Sequence, residues 1–232
     1  MTQYKPMMSD DEVQLRLKWH NSGYKRMEDQ KTIRRQYLGR KFVIPKEVFP
    51  PPWMSKLLGK SVLEEVKVTD RVLDMGTGCG VNAILAASRS ADVLGVDINP
   101  FAVENGKQNS KRNGVAGRIR FVQSDLFQNV EGKFDLIIFD PPFRWFSPRD
   151  LREMAVSDEN FKTMSAFFEQ VRGYLNPAGR ILIFYGDSGD MNFFRALIEK
   201  NRLKSELVRS RSIEKEGRMW GYYVWKLTPV DS

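Results

Sequence analysis

The tetrapeptide Asp140-Pro141-Pro142-Phe143 closes the apolar run Phe134 to Phe139 and is the stretch of this chain best suited to chemistry. Two consecutive prolines fix φ twice and push the preceding residue into extended geometry, so Asp140 and the Pro141 carbonyl form a rigid pair of acceptors. A conjugated NH₂ is a poor nucleophile because its lone pair is delocalised. Two acceptors aimed at its hydrogens favour the pyramidal form and hold the nitrogen in line with an electrophile, so catalysis comes from positioning and electrostatics. Phe143 can stack on a flat target such as a base or an amide. Without a ligand, the same residues read as a stiff turn with Phe143 in the core.

A second set lies upstream. Asp74-Met75-Gly76-Thr77-Gly78-Cys79-Gly80 joins an apolar run to a helical pattern, and its glycines let the backbone turn sharply and approach a ligand closely. The start of the following helix offers unpaired N–H groups. A dinucleotide enzyme spaces its glycines Gly-x-Gly-x-x-Gly, but here Val81 holds the third position and Gly80 falls one place early. Asp74 suits an ammonium group better than phosphates. Asp97, followed by Ile98, ends the next apolar run, where a carboxylate can accept both hydroxyls of a ribose diol. In Ser124-Asp125-Leu126, a carboxylate or the nearby backbone can read an adenine amine, although Asp125 can equally serve as an N-cap or loop residue.

The elements that must position these groups alternate. Strands are expected at 71–75, 92–97, 119–123, 134–139 and 180–185, with helices at 81–88, 100–113, 161–175 and 190–200 between them. The tail offers 204–209 and 221–227 as an antiparallel pair. Such alternation implies an α/β fold, doubly wound around a mostly parallel sheet, with every candidate group at a carboxyl strand end. Residues 9–40 look like a short helical lead-in, 42–53 like an ordered proline-rich loop, and 53–66 like a further helix.

The runs Val72 to Gly80, Gly95-Val96-Asp97-Ile98-Asn99-Pro100 and Phe134 to Phe143 together resemble the small-domain methyltransferase family. That group includes HemK-type glutamine methyltransferases and several ribosomal RNA guanine and adenine methyltransferases. The resemblance runs from about residue 42 to about 200. It implies a Rossmann-like seven-stranded sheet and S-adenosyl-L-methionine as cofactor. Asp74, Gly76, Thr77, Gly78 and Gly80 would hold the methionine part, Asp97 with Ile98 the ribose, and Ser124, Asp125 and Leu126 the adenine. Asp140 to Phe143 would carry methylation of a planar nitrogen. Asp in place of Asn and Phe in place of Tyr depart from the usual glutamine-methylating form and lie closer to some guanine and adenine enzymes. Ile44 to Pro50 resembles a segment that roofs the cofactor in HemK-like members, or is a loop packed on the sheet. The division that follows is a lead-in at 1–41 and a methyltransferase domain at 42–232.

Composition bounds the rest. The 41% hydrophobic content suffices for an ordinary core, and no apolar run approaches the length of a membrane span. The start, Met1 to Lys5, lacks a secretory apolar core. One cysteine and one histidine leave no disulfide framework and make a zinc site improbable, so the expectation is a cytoplasmic, metal-free enzyme. His20 reads as a surface or helix residue without a catalytic partner, and Cys79 as a small filler. The net charge of +8, basic residues from Lys18 to Lys41, and the mix of Arg144, Trp145, Phe146 and Arg149 favour a polyanionic partner. The expected substrate is an exocyclic base amine of RNA. A glutamine amide of a translation protein, a compact heteroaromatic amine, and a non-catalytic cofactor-binding subunit are the alternatives.

Overall fold

In the computed structural model, which describes residues 4–28 and 30–230, a seven-stranded sheet runs through the molecule in the order β5-β4-β3-β6-β7-β9-β8. Its strands are β3 (Arg71–Met75), β4 (Asp92–Asp97), β5 (Ile119–Gln123), β6 (Phe134–Phe139), β7 (Leu175–Gly186), β8 (Leu203–Lys215) and β9 (Arg218–Pro229). The first five of these are parallel, and β9 runs antiparallel to both β7 and β8. Strand β3 pairs with β4 on one side and β6 on the other, so the chain reverses its direction of winding there. A crevice forms outside the carboxyl strand ends at such a reversal.

Period-two alternation divides the strand residues between two cores. Val72, Leu136, Ile138, Leu182 and Phe184 face one core, with residues of helices α2 (Lys56–Glu65), α3 (Val81–Ala86) and α4 (Pro100–Arg112). Leu73, Met75, Ile137, Phe139, Ile181 and Ile183 face the other, with α5 (Lys162–Gln170) and α6 (Met191–Lys200).

The expected strands and helices are present, and the C-terminal pair is longer than expected. The region before residue 53 differs. Helix α1 (Asp10–Glu28) ends before an antiparallel hairpin of β1 (Ile33–Tyr37) and β2 (Arg40–Ile44). Leu38 and Gly39, at φ 45° and 79°, form its two-residue turn, which suits the twist of a hairpin. A division at residue 41 thus falls within β2. Three asparagines one turn apart, two on α4 and one at its C-cap, dock this hairpin. Asn105 donates to the Val43 carbonyl at 2.9 Å, Asn109 accepts from the Val43 N–H at 3.1 Å, and Asn113 accepts from the Lys41 N–H at 3.1 Å. Side-chain amides here replace a neighbouring strand. Among the described residues, no helix is long and apolar enough to cross a membrane, and no cluster of three metal-ligating side chains occurs. Residues 1–3 of the expected leaderless start lie outside the described residues.

Candidate active site

The turn after β3 is held from behind by Asp74. This buried carboxylate accepts from Thr77 Oγ1 at 2.6 Å and from the Ala83 N–H at 2.9 Å. Burial pushes its pKa up to about 7, against the pull of those two hydrogen bonds. Gly76 and Gly78 adopt φ of 65° and 54°, the left-handed region, and a Cβ at Gly78 would meet nothing within 4 Å. Gly80 differs. A Cβ there would lie 3.1 Å from the Gly106 backbone, so its role is close packing on α4.

Asp97 is oriented by the same turn. One oxygen accepts from the Gly78 N–H at 2.8 Å and the other from the Asn99 N–H at 2.9 Å. Each oxygen keeps acceptor capacity for a diol. Beside it, the Ser124 N–H bonds the Asp97 carbonyl at 2.9 Å, and Ser124 Oγ bonds the Leu126 carbonyl at 2.8 Å. These bonds fix the loop that presents Asp125, which is exposed.

At the tip of β6, Asp140 accepts from Ser55 Oγ at 2.7 Å. Desolvation pushes its carboxyl up to about 6, opposed by Ser55. Ser55 stands at the N-cap of α2 but makes no cap hydrogen bond, because its hydroxyl is committed to Asp140. Sequence reasoning missed this residue. The available signal was a serine at a helix start just after Pro50-Pro51-Pro52. That proline segment is itself anchored, since Arg35 donates to the Pro51 carbonyl at 2.6 Å and Asn99 donates to the Glu47 carbonyl at 2.9 Å. The Phe143 ring is half-buried, with centroids 4.8 Å from Tyr185 and 5.5 Å from Phe184.

One cavity of about 810 Å³, within the usual range for small-ligand sites, joins these groups. Gly76, Thr77, Gly78, Asp97, Ile98, Ser124, Asp125, Leu126 and Asp140 to Phe143 all line it. Asp74 and Gly80 stand behind its wall and brace it. Val48, Phe49 and the three prolines line it too, while Ile44 and Val48 are buried in the core on the α2–α4 side.

The acceptor end has a cover that the sequence did not reveal. His20 of α1 is buried, and its Nε2 lies 2.8 Å from Glu153, which has no exposed surface. Of the expected surface or helix residue, the helix holds and the surface is corrected: α1 packs its His20 face onto the loop after β6. Burial lowers the His20 pKa, while Glu153 pulls it the other way. Arg149 grips Glu153 through Nε at 2.9 Å and lies 3.6 Å above the Tyr24 ring of α1. Trp145 is buried as well. Of the side chains read as either nucleic-acid grips or loop packing, Trp145 therefore packs, while Arg149 is paired with Glu153 and stays exposed.

These residues fit S-adenosyl-L-methionine. An open glycine turn suits an amino-acid head, an oriented carboxylate suits a ribose, and the cavity continues to a rigid acceptor pair. The comparisons agree. A protein of Methanocaldococcus jannaschii described as a protein N5-glutamine methyltransferase is 46% identical over 106 residues, 45% of this chain and 52% of that protein. Ribosomal RNA small subunit methyltransferase C of Haemophilus influenzae is 31% identical over 119 residues, 50% of this chain and 32% of that protein. Both matches span about half or less of the relatives' own length. The T. thermophilus 16S rRNA guanine-N2 methyltransferase, solved with AdoMet and guanosine, shares the fold at TM-score 0.60 and 19% identity, over 86% of this chain and 50% of that one. The family described as methyltransferase small domain matches residues 54–208, and the chain belongs to it.

Proposed function

We propose that this chain is an S-adenosyl-L-methionine-dependent N-methyltransferase whose substrate is an exocyclic base amine of RNA. The observation that carries the reading is Asp140, fixed by Ser55 and by the prolines on the wall of the cavity that also holds Asp97. Bound S-adenosyl-L-methionine supplies an electrophilic methyl group. Everything else is positioning by this chain. The Gly76–Gly78 turn seats the amino-acid end, and Asp97 receives the ribose diol. The Asp125 loop borders the adenine. Asp140 and the Pro141 carbonyl accept the two hydrogens of the target NH₂, and Phe143 borders its ring. Asp140 can take the proton that the nitrogen sheds, since a carboxyl held near 6 is a better base than an ordinary one.

Choice of RNA rests on Asp at the first position of the tetrapeptide and on Arg26, Arg144 and Arg152 along the cavity wall. A second reading, methylation of a glutamine side-chain amide, draws on the 46% identity to the M. jannaschii protein. Incubating cell extract with the enzyme and labelled donor separates them. Label lost after RNase and retained after protease is the expected result. Label that survives RNase and is lost to protease removes the RNA reading in favour of the amide.

A further inference from the structure

Two arginines sit at opposite ends of the central sheet, and they face different surroundings. Arg180, at the amino end of the parallel strands, donates to the Asp70 carboxylate at 2.8 Å and to the Asp135 carbonyl at 3.0 Å. Its charge is neutralised inside the protein. Arg144, at the carboxyl end, directly follows the catalytic tetrapeptide. Among the described residues the one hydrogen bond of its guanidinium is from Nη1 to the Ser188 carbonyl, and no carboxylate lies within 4.0 Å. Its Nε is sealed from solvent without an acceptor, as that of Arg180 is, so what sets the two apart is the missing carboxylate. The charged and titratable groups that act on it are Arg16, Tyr222 and Tyr185, none of them a carboxylate.

Further positive charge gathers there. Lys215, at the tip of the β8–β9 hairpin, feels both Arg144 and Arg26. Arg16 has Glu12 at 4.0 Å, and Lys215 has the neighbouring Glu216, but Arg144 has no such relief. Arg144, Arg26, Ser188 and Tyr222 all line the cavity. A partly buried guanidinium without a counter-ion is left uncompensated, and an arriving anion relieves it.

We infer that Arg144 is the anion-binding position of the substrate pocket and takes the phosphate of the nucleotide whose base is methylated. The inference rests on the base-methylation reading above. A planar fork of N–H donors matches phosphate oxygens. Arg144 lies four positions after Asp140, at most ~14 Å of extended chain. An amine at Asp140 and an anion at Arg144 therefore belong to the same or an adjacent nucleotide.

Calorimetry on protein saturated with S-adenosylhomocysteine tests this, using adenosine and guanosine against their 5′- and 3′-monophosphates. At least one nucleotide should bind about 10-fold more tightly than its nucleoside, the size of one charge-assisted contact. Arg144→Gln should abolish that preference, and Arg144→Lys should keep part of it. S-adenosylhomocysteine affinity serves as the folding control for both variants. Equal affinities, no measurable nucleotide binding, or a preference that survives Arg144→Gln would overturn the assignment. The parent reading fails separately. RNA labelling with unchanged KM in Arg144→Gln removes the anion site and keeps base methylation. A phosphate preference in an enzyme that labels only protein does the reverse.

Discussion

The donor wall and the acceptor cover of this cavity are built in different ways. The donor wall comes from three short turns, each continuous in sequence: 74–80 after β3, 97–99 after β4 and 124–126 after β5. Several of their hydrogen bonds stay within one turn and the helix start after it, as between Asp74 and Ala83 or Asp97 and Asn99, and others tie one turn to the next, as between Gly78 and Asp97. The acceptor cover draws on segments far apart: His20 and Tyr24 of α1, Ser55, Arg144, Leu151 and Arg152 with Glu153 behind them, Ser188 and Tyr222. Its key contacts join side chains across the chain, as from Ser55 to Asp140 and from His20 to Glu153. A parallel sheet prescribes where its turns must lie, so the donor wall follows from strand order. No such rule places the cover. The cover is therefore encoded where local pattern is least informative.

Variants on the two sides should separate chemistry, roof and fine tuning. The largest effect is expected at the corner between them. Asp140→Ala should lower kcat by about 100-fold or more, the usual scale for losing a positioned acid–base group, with S-adenosylhomocysteine affinity almost unchanged. Single-turnover kinetics with calorimetry read both, and an unchanged rate would favour a non-catalytic subunit. Next is the roof. Glu153→Gln removes the charge that Arg149 and His20 share, and should cost about 1–3 kcal/mol of stability, the scale of a broken buried hydrogen-bond network. Chemical denaturation measures that loss. Substrate KM should rise while donor affinity holds, and a weakened donor would show that the two sides are not independent.

The smallest effect is a shift in pH dependence. Protonated Asp140 has lost an acceptor, so the rate should fall as pH drops through about 6, where burial holds its pKa. Ser55 lowers that pKa, so Ser55→Ala should raise it. The acid limb then moves to higher pH, with only a few-fold change in plateau rate. A limb that stays in place in Ser55→Ala would separate Asp140 from the pH response.

The same contrast explains what the sequence disclosed. The five parallel strands were legible because strands covered on both faces carry near-continuous apolar runs, as Phe134 to Phe139 does. The tail hairpin was legible from its turn around Glu216 and Gly217. The β1–β2 hairpin was not. Arg34, Arg35, Arg40 and Lys41 mask its pattern, and its backbone partners are the asparagines of α4 more than sixty residues away. Asp74 was recognised as part of the donor motif, yet it braces the turn from behind, because a residue that shapes a site and one that lines it share the same local signal. His20 looked idle since its partner, Glu153, lies in a loop without regular pattern.

Calorimetric titration of S-adenosylhomocysteine into the wild-type chain and Asp97→Ala tests the central claim most directly. One equivalent should bind, and Asp97→Ala should weaken it by about 10- to 100-fold, since each charge-assisted hydrogen bond to a ribose hydroxyl contributes about 1.5–3 kcal/mol. Absence of binding, or an affinity indifferent to Asp97, would contradict the account.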